Sequence, residues 1–285
     1  MPSVTMLLTV AAVLVGGYGV LVAGMSLMQR SLLYLPASDL GTTPREAGVP
    51  EMRGVVFTTE DGLNLTAWHR PPTTRDVTLV YFHGNGGHIG YRGPRVRPFL
   101  DAGYGVLLVG YRGYGGNPGR PTEDGLYADG RAALAFLNSR GFPAGRLVLY
   151  GESLGGGVAV RMAAEQARAD TPVAAVVLEA PMSSVTDVAA HHYPFLPVRW
   201  LLKDRFETVP LVAEIAAPLF VAHGTADRVV PIRFGRKIFE AAREPREAFW
   251  VEGGGHENLS ALGLHDRVLD FLDRHGTNEE TRPGV

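Results

Sequence analysis

The stretch Arg146-Leu-Val-Leu-Tyr-Gly-Glu-Ser-Leu-Gly-Gly-Gly157, followed by Val158-Ala-Val-Arg-Met-Ala-Ala-Glu165, decides how this chain folds. It predicts an apolar strand, a sharp Gly-x-Ser-x-Gly turn and a helix. Small residues on both sides of Ser153 allow the turn to hold the serine in a strained conformation, with its hydroxyl raised at a helix N-terminus. The pentapeptide also occurs by chance in chains with as many as 36 glycines. The flanking strand and helix are therefore what make Ser153 a candidate nucleophile.

Outward from this turn, the chain alternates between apolar runs and helical stretches. We predict buried parallel strands at residues 77–82, 105–110, 147–150, 173–178, 218–222 and 248–251. We predict helices near residues 91–102, 122–140, 154–169, 232–243 and 264–274. Residues 54–59 and 63–68 precede them as an antiparallel hairpin with an Asp-Gly turn. This alternation predicts an α/β fold, in which a mostly parallel sheet carries helices on both faces and its ligand site at the carboxyl ends of the strands.

Two residues that follow later strands are candidates to complete a catalytic triad. His256 lies in a glycine-rich loop after the last predicted strand, and Asp227 follows the strand before it. An imidazole can take the serine proton, and a carboxylate orients the imidazole and stabilises its positive charge. Asp187, after the preceding strand, is the alternative acid. The chain order Ser153, Asp227, His256 is the one expected when a Gly-x-Ser-x-Gly turn serves such a sheet.

The loop His83-Gly-Asn-Gly-Gly87, directly after the first parallel strand, is suited to bind an oxyanion. Its glycines let a main-chain N–H approach a substrate oxygen closely. We expect the N–H groups of Asn85 and Leu154 to form the oxyanion hole for a tetrahedral intermediate. The alternative is that the loop is only a tight turn from strand to helix. We expect His83 itself to be structural, because a base at this point would face the wrong way.

The composition limits the partners and cofactors of the protein. The 27 basic and 29 acidic side chains nearly cancel, and the arginines are scattered, so we expect no nucleic-acid binding. The chain has no cysteine, which excludes disulfides, thiolate metal sites and a cysteine nucleophile. His191 and His192 are adjacent, and neighbouring helix positions do not face one another. We therefore expect no metal and no cofactor.

An apolar segment occupies the beginning of the sequence. No charged side chain occurs from Pro2 to Gln29, and residues 6–28 are long enough to cross a hydrocarbon core of about 30 Å as a helix. We predict that residues 1–35 form a single-pass transmembrane anchor with its juxtamembrane segment. A cleaved signal peptide is the alternative, but a basic n-region and a clear cleavage site are missing. The side of the membrane on which the catalytic domain lies stays open.

The remaining chain divides into three predicted parts. Residues 36–50 are rich in helix and strand breakers and predict a linker, residues 51–276 predict the α/β domain, and residues 277–285 predict a flexible tail. Within the domain, residues 182–213 are longer than a simple connection. They predict a small helical cap with enough apolar surface to meet an acyl chain or lipid. The alternative is that these residues only pack on the sheet.

Three aromatic residues are candidates for substrate binding. Tyr114 lies in the glycine-rich loop after the second parallel strand, where it could line the mouth of a pocket. Tyr193 and Phe195 lie in the predicted cap. In the same loop as Tyr114, Arg112 is expected to hold the loop through hydrogen bonds to carbonyl groups rather than to meet substrate.

Five motifs occur together in this chain: His83-Gly-Asn-Gly-Gly87, Tyr111-Arg-Gly-Tyr-Gly115, Pro121-Thr-Glu123, Gly151-Glu-Ser-Leu-Gly-Gly156 and His223-Gly-Thr-Ala-Asp227. Together they resemble the alpha/beta-hydrolase superfamily and, within it, the small membrane-anchored abhydrolase-domain serine hydrolases. The resemblance covers nearly the whole chain and implies the alpha/beta-hydrolase fold and a Ser-His-Asp triad. It does not imply a substrate, because such relatives include thioester depalmitoylases, lysophospholipases and acylglycerol lipases. Glu257 is a departure, since similar proteins often carry Asn or Asp after the base histidine.

The residues and the resemblance predict a membrane-anchored serine hydrolase that cleaves carboxylic esters or thioesters of acyl lipids or other acylated molecules. Ser153 would attack the carbonyl with His256 as base, and water would then release the acid from the acyl-enzyme. A short-peptide hydrolase is one alternative, although it would need a polar pocket and a carboxylate for the peptide amine. A non-catalytic membrane-tethered scaffold is the other, although it has no need for a strained serine.

Overall fold

The computed structural model describes residues 2–39 and 41–276. Its strands are β1 (Leu35–Pro36), β2 (Arg53–Thr58), β3 (Asn64–Arg70), β4 (Thr78–Phe82), β5 (Gly86–Gly87), β6 (Gly105–Leu108), β7 (Leu147–Glu152), β8 (Ala175–Glu179), β9 (Leu219–Gly224) and β10 (Arg246–Val251). Its helices are α1 (Val4–Leu33), α2 (Gly93–Asp101), α3 (Glu123–Asn138), α4 (Leu154–Arg168), α5 (Val185–His192), α6 (Val198–Leu201), α7 (Val209–Val212), α8 (Ile232–Ala241) and α9 (Leu264–His275). The predicted tail over residues 277–285 lies outside the described residues.

An eight-stranded sheet with the order β10-β9-β8-β7-β4-β6-β3-β2 forms the centre of the molecule. The hairpin β2-β3 is antiparallel, as is the pairing of β3 with β6. All other neighbouring strands of this sheet run parallel. The carboxyl ends of the parallel strands therefore meet along one edge. This confirms the predicted mostly parallel sheet of the alpha/beta-hydrolase fold.

Two apolar clusters cover the two faces of the sheet. Along β4, Val80 and Phe82 join one cluster, whereas Leu79 and Tyr81 join the other. This alternation follows from the strand period of two residues. Helices α3, α4 and α8 pack on the first face, and α2 and α9 on the second. Because both faces are covered, the central strands are mainly apolar, which is why they appear in the sequence as apolar runs.

Helix α1 differs from the other helices in that none of its residues is buried. It is 30 residues long and apolar enough to cross a membrane by length and composition. Ser3 caps it, since the Ser3 hydroxyl oxygen accepts a hydrogen bond from the Met6 N–H at 3.2 Å. A long apolar helix was predicted here, and the structure confirms a candidate membrane span.

Two stretches of the chain between α1 and β2 lie against the α/β domain. The two residues of β1 pair in parallel with β5, which joins Leu35 to Gly86 and Pro36 to Gly87. Farther along, Val49 and Met52 are buried in the cluster on the second face of the sheet. The segment between β8 and β9 carries the three short helices α5, α6 and α7, and we call residues 182–213 the cap.

Candidate active site

Ser153 lies in the tight turn between β7 and α4, at the carboxyl edge of the sheet. Its backbone has a φ of 51° and a ψ of −112°, a conformation that costs a non-glycine residue on the order of 1–3 kcal/mol. The neighbouring glycines make the turn possible. A Cβ on Gly155 would lie 2.0 Å from the Phe82 carbonyl oxygen, and one on Gly151 would lie 2.5 Å from the Gly156 Cα. The turn thus accepts glycine alone at these two positions and leaves the Ser153 side chain projecting from it.

The structure brings Ser153, His256 and Asp227 together, although they are far apart in the sequence. His256 Nε2 lies 3.0 Å from Ser153 Oγ, and His256 Nδ1 lies 2.7 Å from Asp227 Oδ2. The imidazole can therefore accept the serine proton on one nitrogen while its other N–H donates to the carboxylate. A serine held in this way can act as a nucleophile.

Main-chain and side-chain donors surround the carboxylate of Asp227. Asp227 Oδ1 accepts hydrogen bonds of 2.8 Å from the N–H groups of Val229 and Val230. Burial alone would raise the pKa of this carboxyl, but hydrogen bonds from His223 and His256 outweigh burial and hold the pKa of Asp227 below its ordinary value. Asp227 is therefore ionised near neutral pH, as a partner for an imidazolium must be.

His223 is a second histidine at this carboxylate, and the sequence patterns did not identify it as part of the site. Its Nε2 lies 3.3 Å from Asp227 Oδ2 and 2.7 Å from the Val230 carbonyl oxygen. A proton on Nε2 can be shared between these two acceptors. The His223 imidazole then helps to hold the Asp227 carboxylate in position. The sequence signal that could have indicated this contact is the spacing of four residues between His223 and Asp227 within one motif.

The alternative acid, Asp187, lies elsewhere. Its Oδ2 accepts hydrogen bonds from Ser183 Oγ at 2.7 Å and from Lys237 Nζ at 2.9 Å, and Arg199 lies against its Oδ1. The His256 imidazole is paired with Asp227 instead.

The loop that carries Asn85 is held by the chain that leaves helix α1. The Asn85 side-chain amide donates to the Leu33 carbonyl oxygen at 2.9 Å, and the Asn85 carbonyl oxygen accepts from the Leu35 N–H at 2.9 Å. The Tyr114 hydroxyl donates to the same carbonyl oxygen at 2.9 Å. These contacts fix the Asn85 side chain and the peptide group between Asn85 and Gly86.

The main-chain N–H groups of Asn85 and Leu154 have no acceptor among the residues that the structure describes. Both residues line the cavity at Ser153. Leu154 is the first residue of α4, so its N–H is one of those that a helix cannot satisfy internally. Two free donors beside the serine are what an oxyanion-binding site needs.

A cavity of about 330 Å³ extends from Ser153 between α1 and the cap. Its walls are mainly apolar and include Leu32 and Leu33 of α1 and Val188, Leu196 and Leu201 of the cap. No Asp, Glu, Lys or Arg is among the described residues that line it.

The three candidate substrate-binding residues lie in different places. Tyr193 lines the cavity. Tyr114 is only 1% exposed, packs against the ring of His83 and lies behind the Asn85 loop instead of at the mouth of the cavity. Phe195 is 59% exposed and is not part of the cavity wall.

Two carboxylates beneath the site were not anticipated from the sequence: Glu179, which is buried, and Glu152, which is partly exposed. Glu152, the residue before Ser153, accepts hydrogen bonds from Arg92 and Tyr81, and Glu179 accepts from Arg95 and Tyr150. Burial raises the pKa of Glu179. Burial also acts on Glu152, but the arginines beside it outweigh burial and lower its pKa.

Hydrogen bonds connect this part of the structure to the candidate triad on two sides. The Glu179 carbonyl oxygen accepts a hydrogen bond of 2.8 Å from the Ser153 N–H. Arg95 donates to the carbonyl oxygen of Glu257, the residue after His256, at 3.3 Å. Arg112, in contrast, pairs with Asp129 and Asp61 away from the cavity. Among the described residues, no group of three or more His, Asp or Glu side chains could hold a metal ion.

The chain is similar in sequence to known proteins and similar in fold to solved structures. Residues 73–211 match the family model for serine aminopeptidase, S33. An uncharacterized protein of Mycobacterium tuberculosis, Rv2307c, is 38% identical over 251 residues, which are 86% of this chain and 87% of that protein. The human alpha/beta hydrolase domain-containing protein 17B is 32% identical, over 70% of this chain and 68% of that protein. Among solved structures, an esterase of Pyrococcus furiosus has a TM-score of 0.68 at 23% identity, over 86% of this chain and 98% of that one.

Proposed function

The chain belongs to the alpha/beta-hydrolase superfamily, and we propose that it is a membrane-anchored serine hydrolase that cleaves carboxylic esters or thioesters of acyl lipids or acylated molecules. The observation that carries this proposal is the hydrogen-bonded series Ser153, His256, Asp227, with distances of 3.0 Å and 2.7 Å. A strained backbone at the serine is a second support, because strain of this kind concentrates at functional sites.

The reaction follows from the positions of these groups. Ser153 Oγ attacks the ester carbonyl carbon while His256 Nε2 takes its proton, and Asp227 stays ionised to stabilise the imidazolium. The negative oxygen of the tetrahedral intermediate accepts from the N–H groups of Asn85 and Leu154. His256 then gives its proton to the departing alcohol or thiol, which leaves an acyl-enzyme. Water, activated by the same imidazole, releases the carboxylic acid and restores Ser153.

The apolar cavity favours acyl esters over peptides. A peptide with a free amino terminus carries a positive charge, and burial of that charge requires a carboxylate partner. The described residues that line the cavity include no carboxylate. Glu152 is next to Ser153 in the sequence, but it does not line the cavity and is already paired with Arg92. A peptidase, which the description of the matching family model would suggest, is therefore the second candidate.

Membrane anchoring by α1 is supported by the contacts of its last turns. Arg30 makes two hydrogen bonds, of 2.7 Å and 3.1 Å, to the carboxylate of Asp204, which is only 4% exposed. Cleavage after a signal peptide would remove Arg30 and leave this carboxylate buried without its guanidinium partner, which is costly. The retained helix then holds the catalytic domain at a membrane surface.

The proposal is tested by comparing the hydrolysis of nitrophenyl acetate and of an amino-acid nitroanilide by the purified full-length protein. We expect ester turnover, which Ser153→Ala lowers by several orders of magnitude, on the order of 10⁶ if the triad acts as a unit. Ser139→Ala is the matched control, because Ser139 caps the end of α3 and only donates to the Phe136 carbonyl oxygen. Faster cleavage of the nitroanilide would favour the peptidase, and equal ester rates in Ser153→Ala and wild type would refute the proposal.

A further inference from the structure

The last turns of α1 form one wall of the cavity. Met25, Ser26, Gln29, Leu32 and Leu33 all line it. Their spacing of one, three, three and one residues places them on one face of a helix. The next residue around the helix, Leu27, is 86% exposed and faces away. Over these nine residues, which make about two and a half turns, α1 therefore has one face toward the cavity and one face away from it.

Hydrogen bonds fix this helix face relative to the cap. The Gln29 side chain accepts from the Lys203 N–H at 2.8 Å and donates to the Leu201 carbonyl oxygen at 3.3 Å. Farther toward the helix N-terminus, the Tyr18 hydroxyl donates to the Phe195 carbonyl oxygen at 2.7 Å. The wall is therefore connected to the cap at two levels along the helix, which gives the cavity a defined width between them.

The position of the cavity along α1 places it at a membrane surface. A helix needs about 20 residues to cross the hydrocarbon core, and α1 has 30. The cavity face occupies its last nine residues, whereas the contact between Tyr18 and the cap lies 15 residues, or about 22 Å, before Leu33. The cap tip therefore reaches toward the bilayer. Phe195, whose carbonyl oxygen makes this contact, is 59% exposed, and Trp200 of the cap is 86% exposed, as expected for a surface in contact with a membrane interface.

We propose that the space between the last turns of α1 and the cap is the acyl-chain site, and that the substrate is an ester or thioester with one long acyl chain that enters from the bilayer. This inference rests on the proposed serine hydrolase function. A volume of about 330 Å³ is at the lower end of the range of roughly 300–1,000 Å³ for small-molecule sites, which suits one chain rather than two. Met25 and Ser26 then determine chain-length specificity.

Filling the wall tests the site. Ser26→Trp places a large side chain on the cavity face, and Leu27→Trp places the same side chain on the outer face one residue away. The measured quantity is the ratio of kcat/KM for nitrophenyl dodecanoate to kcat/KM for nitrophenyl acetate. We expect Ser26→Trp to lower this ratio by about tenfold or more, the effect of losing contacts to about two methylene groups, and Leu27→Trp to keep it.

Met25→Ala provides a second test in case the Ser26→Trp protein does not fold. It removes part of the wall, and alanine is well accepted in a helix, so we expect a lower ratio here as well. A ratio unchanged in both Ser26→Trp and Met25→Ala, or lowered equally in Leu27→Trp, would overturn the acyl-chain site. Absence of any turnover by the wild type would instead count against the serine hydrolase itself, so the two failures are distinguishable.

Vesicle substrates test the chemical class. Wild-type protein is given hexadecanoyl lysophosphatidylcholine, an S-hexadecanoyl cysteine peptide and dihexadecanoyl phosphatidylcholine, each in phosphatidylglycerol vesicles. Release of hexadecanoic acid from either single-chain substrate at least about tenfold faster than from the two-chain lipid supports the proposal, and the faster of the two identifies the leaving group as an alcohol or a thiol. Equal or faster hydrolysis of the two-chain lipid would overturn it.

Discussion

The side-chain amide of Asn85 donates a 2.9 Å hydrogen bond to the carbonyl oxygen of Leu33, the last residue of helix α1. Leu33 is at the end of the apolar helix, and Asn85 follows the first parallel strand with its main-chain N–H free beside Ser153. This contact connects the proposed membrane anchor directly to the proposed oxyanion hole. Helix α1 is therefore in direct contact with the loop of the proposed oxyanion hole.

Asn85→Ala removes this contact and keeps the main-chain N–H. We expect kcat for an ester to fall by about tenfold with little change in KM, because a less fixed N–H stabilises the transition state less than before. Steady-state kinetics with nitrophenyl acetate measures both values. Asn64→Ala is the matched control, since the Asn64 side chain only bonds Thr58 in the distant hairpin. An unchanged kcat in Asn85→Ala would show that the contact does not position the loop.

Ser153→Gly should be more stable than Ser153→Ala. Glycine adopts a positive φ without the steric cost that a Cβ causes, and the backbone φ at this position is 51°. We expect the free energy of unfolding in urea to be higher in the glycine variant by about 1 kcal/mol. At Ser139, where φ is −63°, the glycine variant should be the less stable of the two. The same order at both positions would argue against strain at Ser153.

Asp227 should contribute to stability in a pH-dependent way. Its folded pKa is lower than the ordinary value of 3.8, so the unfolded chain binds the proton more readily. The contribution is therefore fully present above about pH 4 and is lost as the pH falls further. We expect Asp227→Asn to be less stable than wild type at pH 7 by about 1–3 kcal/mol, with a smaller difference near pH 3. Asp270→Asn, at an exposed position of α9, is the control, and a difference for Asp227→Asn that does not shrink in acid would contradict this account.

Arg30→Ala should loosen α1 from the domain. The Arg30 guanidinium is half exposed, but its partner Asp204 is buried, so the variant leaves a buried carboxylate without its cation. We expect a loss of about 1–3 kcal/mol in the free energy of unfolding, seen as a lower Tm in detergent. Arg120→Ala, at an exposed residue with no ion pair in residues 2–39 and 41–276, should change stability by less than about 0.5 kcal/mol. Equal Tm values for the two variants would mean that the ion pair does not hold the helix.

The sheet and the positions of its helices were predictable because they depend on local patterns. The runs that become β4, β7 and β9 are covered on both faces of the sheet, so most of their residues are apolar. Thr78, Glu152 and His223 are the polar exceptions. The turn at Ser153 was predictable as well, because only glycine at Gly151 and Gly155 lets the neighbouring backbone come so close. Boundaries were less accurate: α2 begins at Gly93 because a 3₁₀ turn over Ile89–Arg92 comes first.

The contacts between distant segments were not predictable from patterns. Asn85 and Leu33 are 52 residues apart, and no sequence motif links the two positions. Residues 36–50 have the composition of a linker, but Val49 is fully buried. The composition of such a segment shows that it contains residues that interrupt helices and strands. It does not show whether the few apolar side chains pack against the rest of the protein. The aromatic Tyr114 likewise gave no signal of whether its ring would face the cavity or the Asn85 loop.

The most direct measurement is the reaction of the purified full-length protein with a fluorophosphonate, followed by intact mass and peptide mapping. We expect one adduct per chain on Ser153 Oγ, none there in Ser153→Ala, and much slower labelling in His256→Ala because the serine proton then has no acceptor. A folded wild-type protein that takes no label, or a label on any other residue at the same rate in Ser153→Ala, would contradict this expectation.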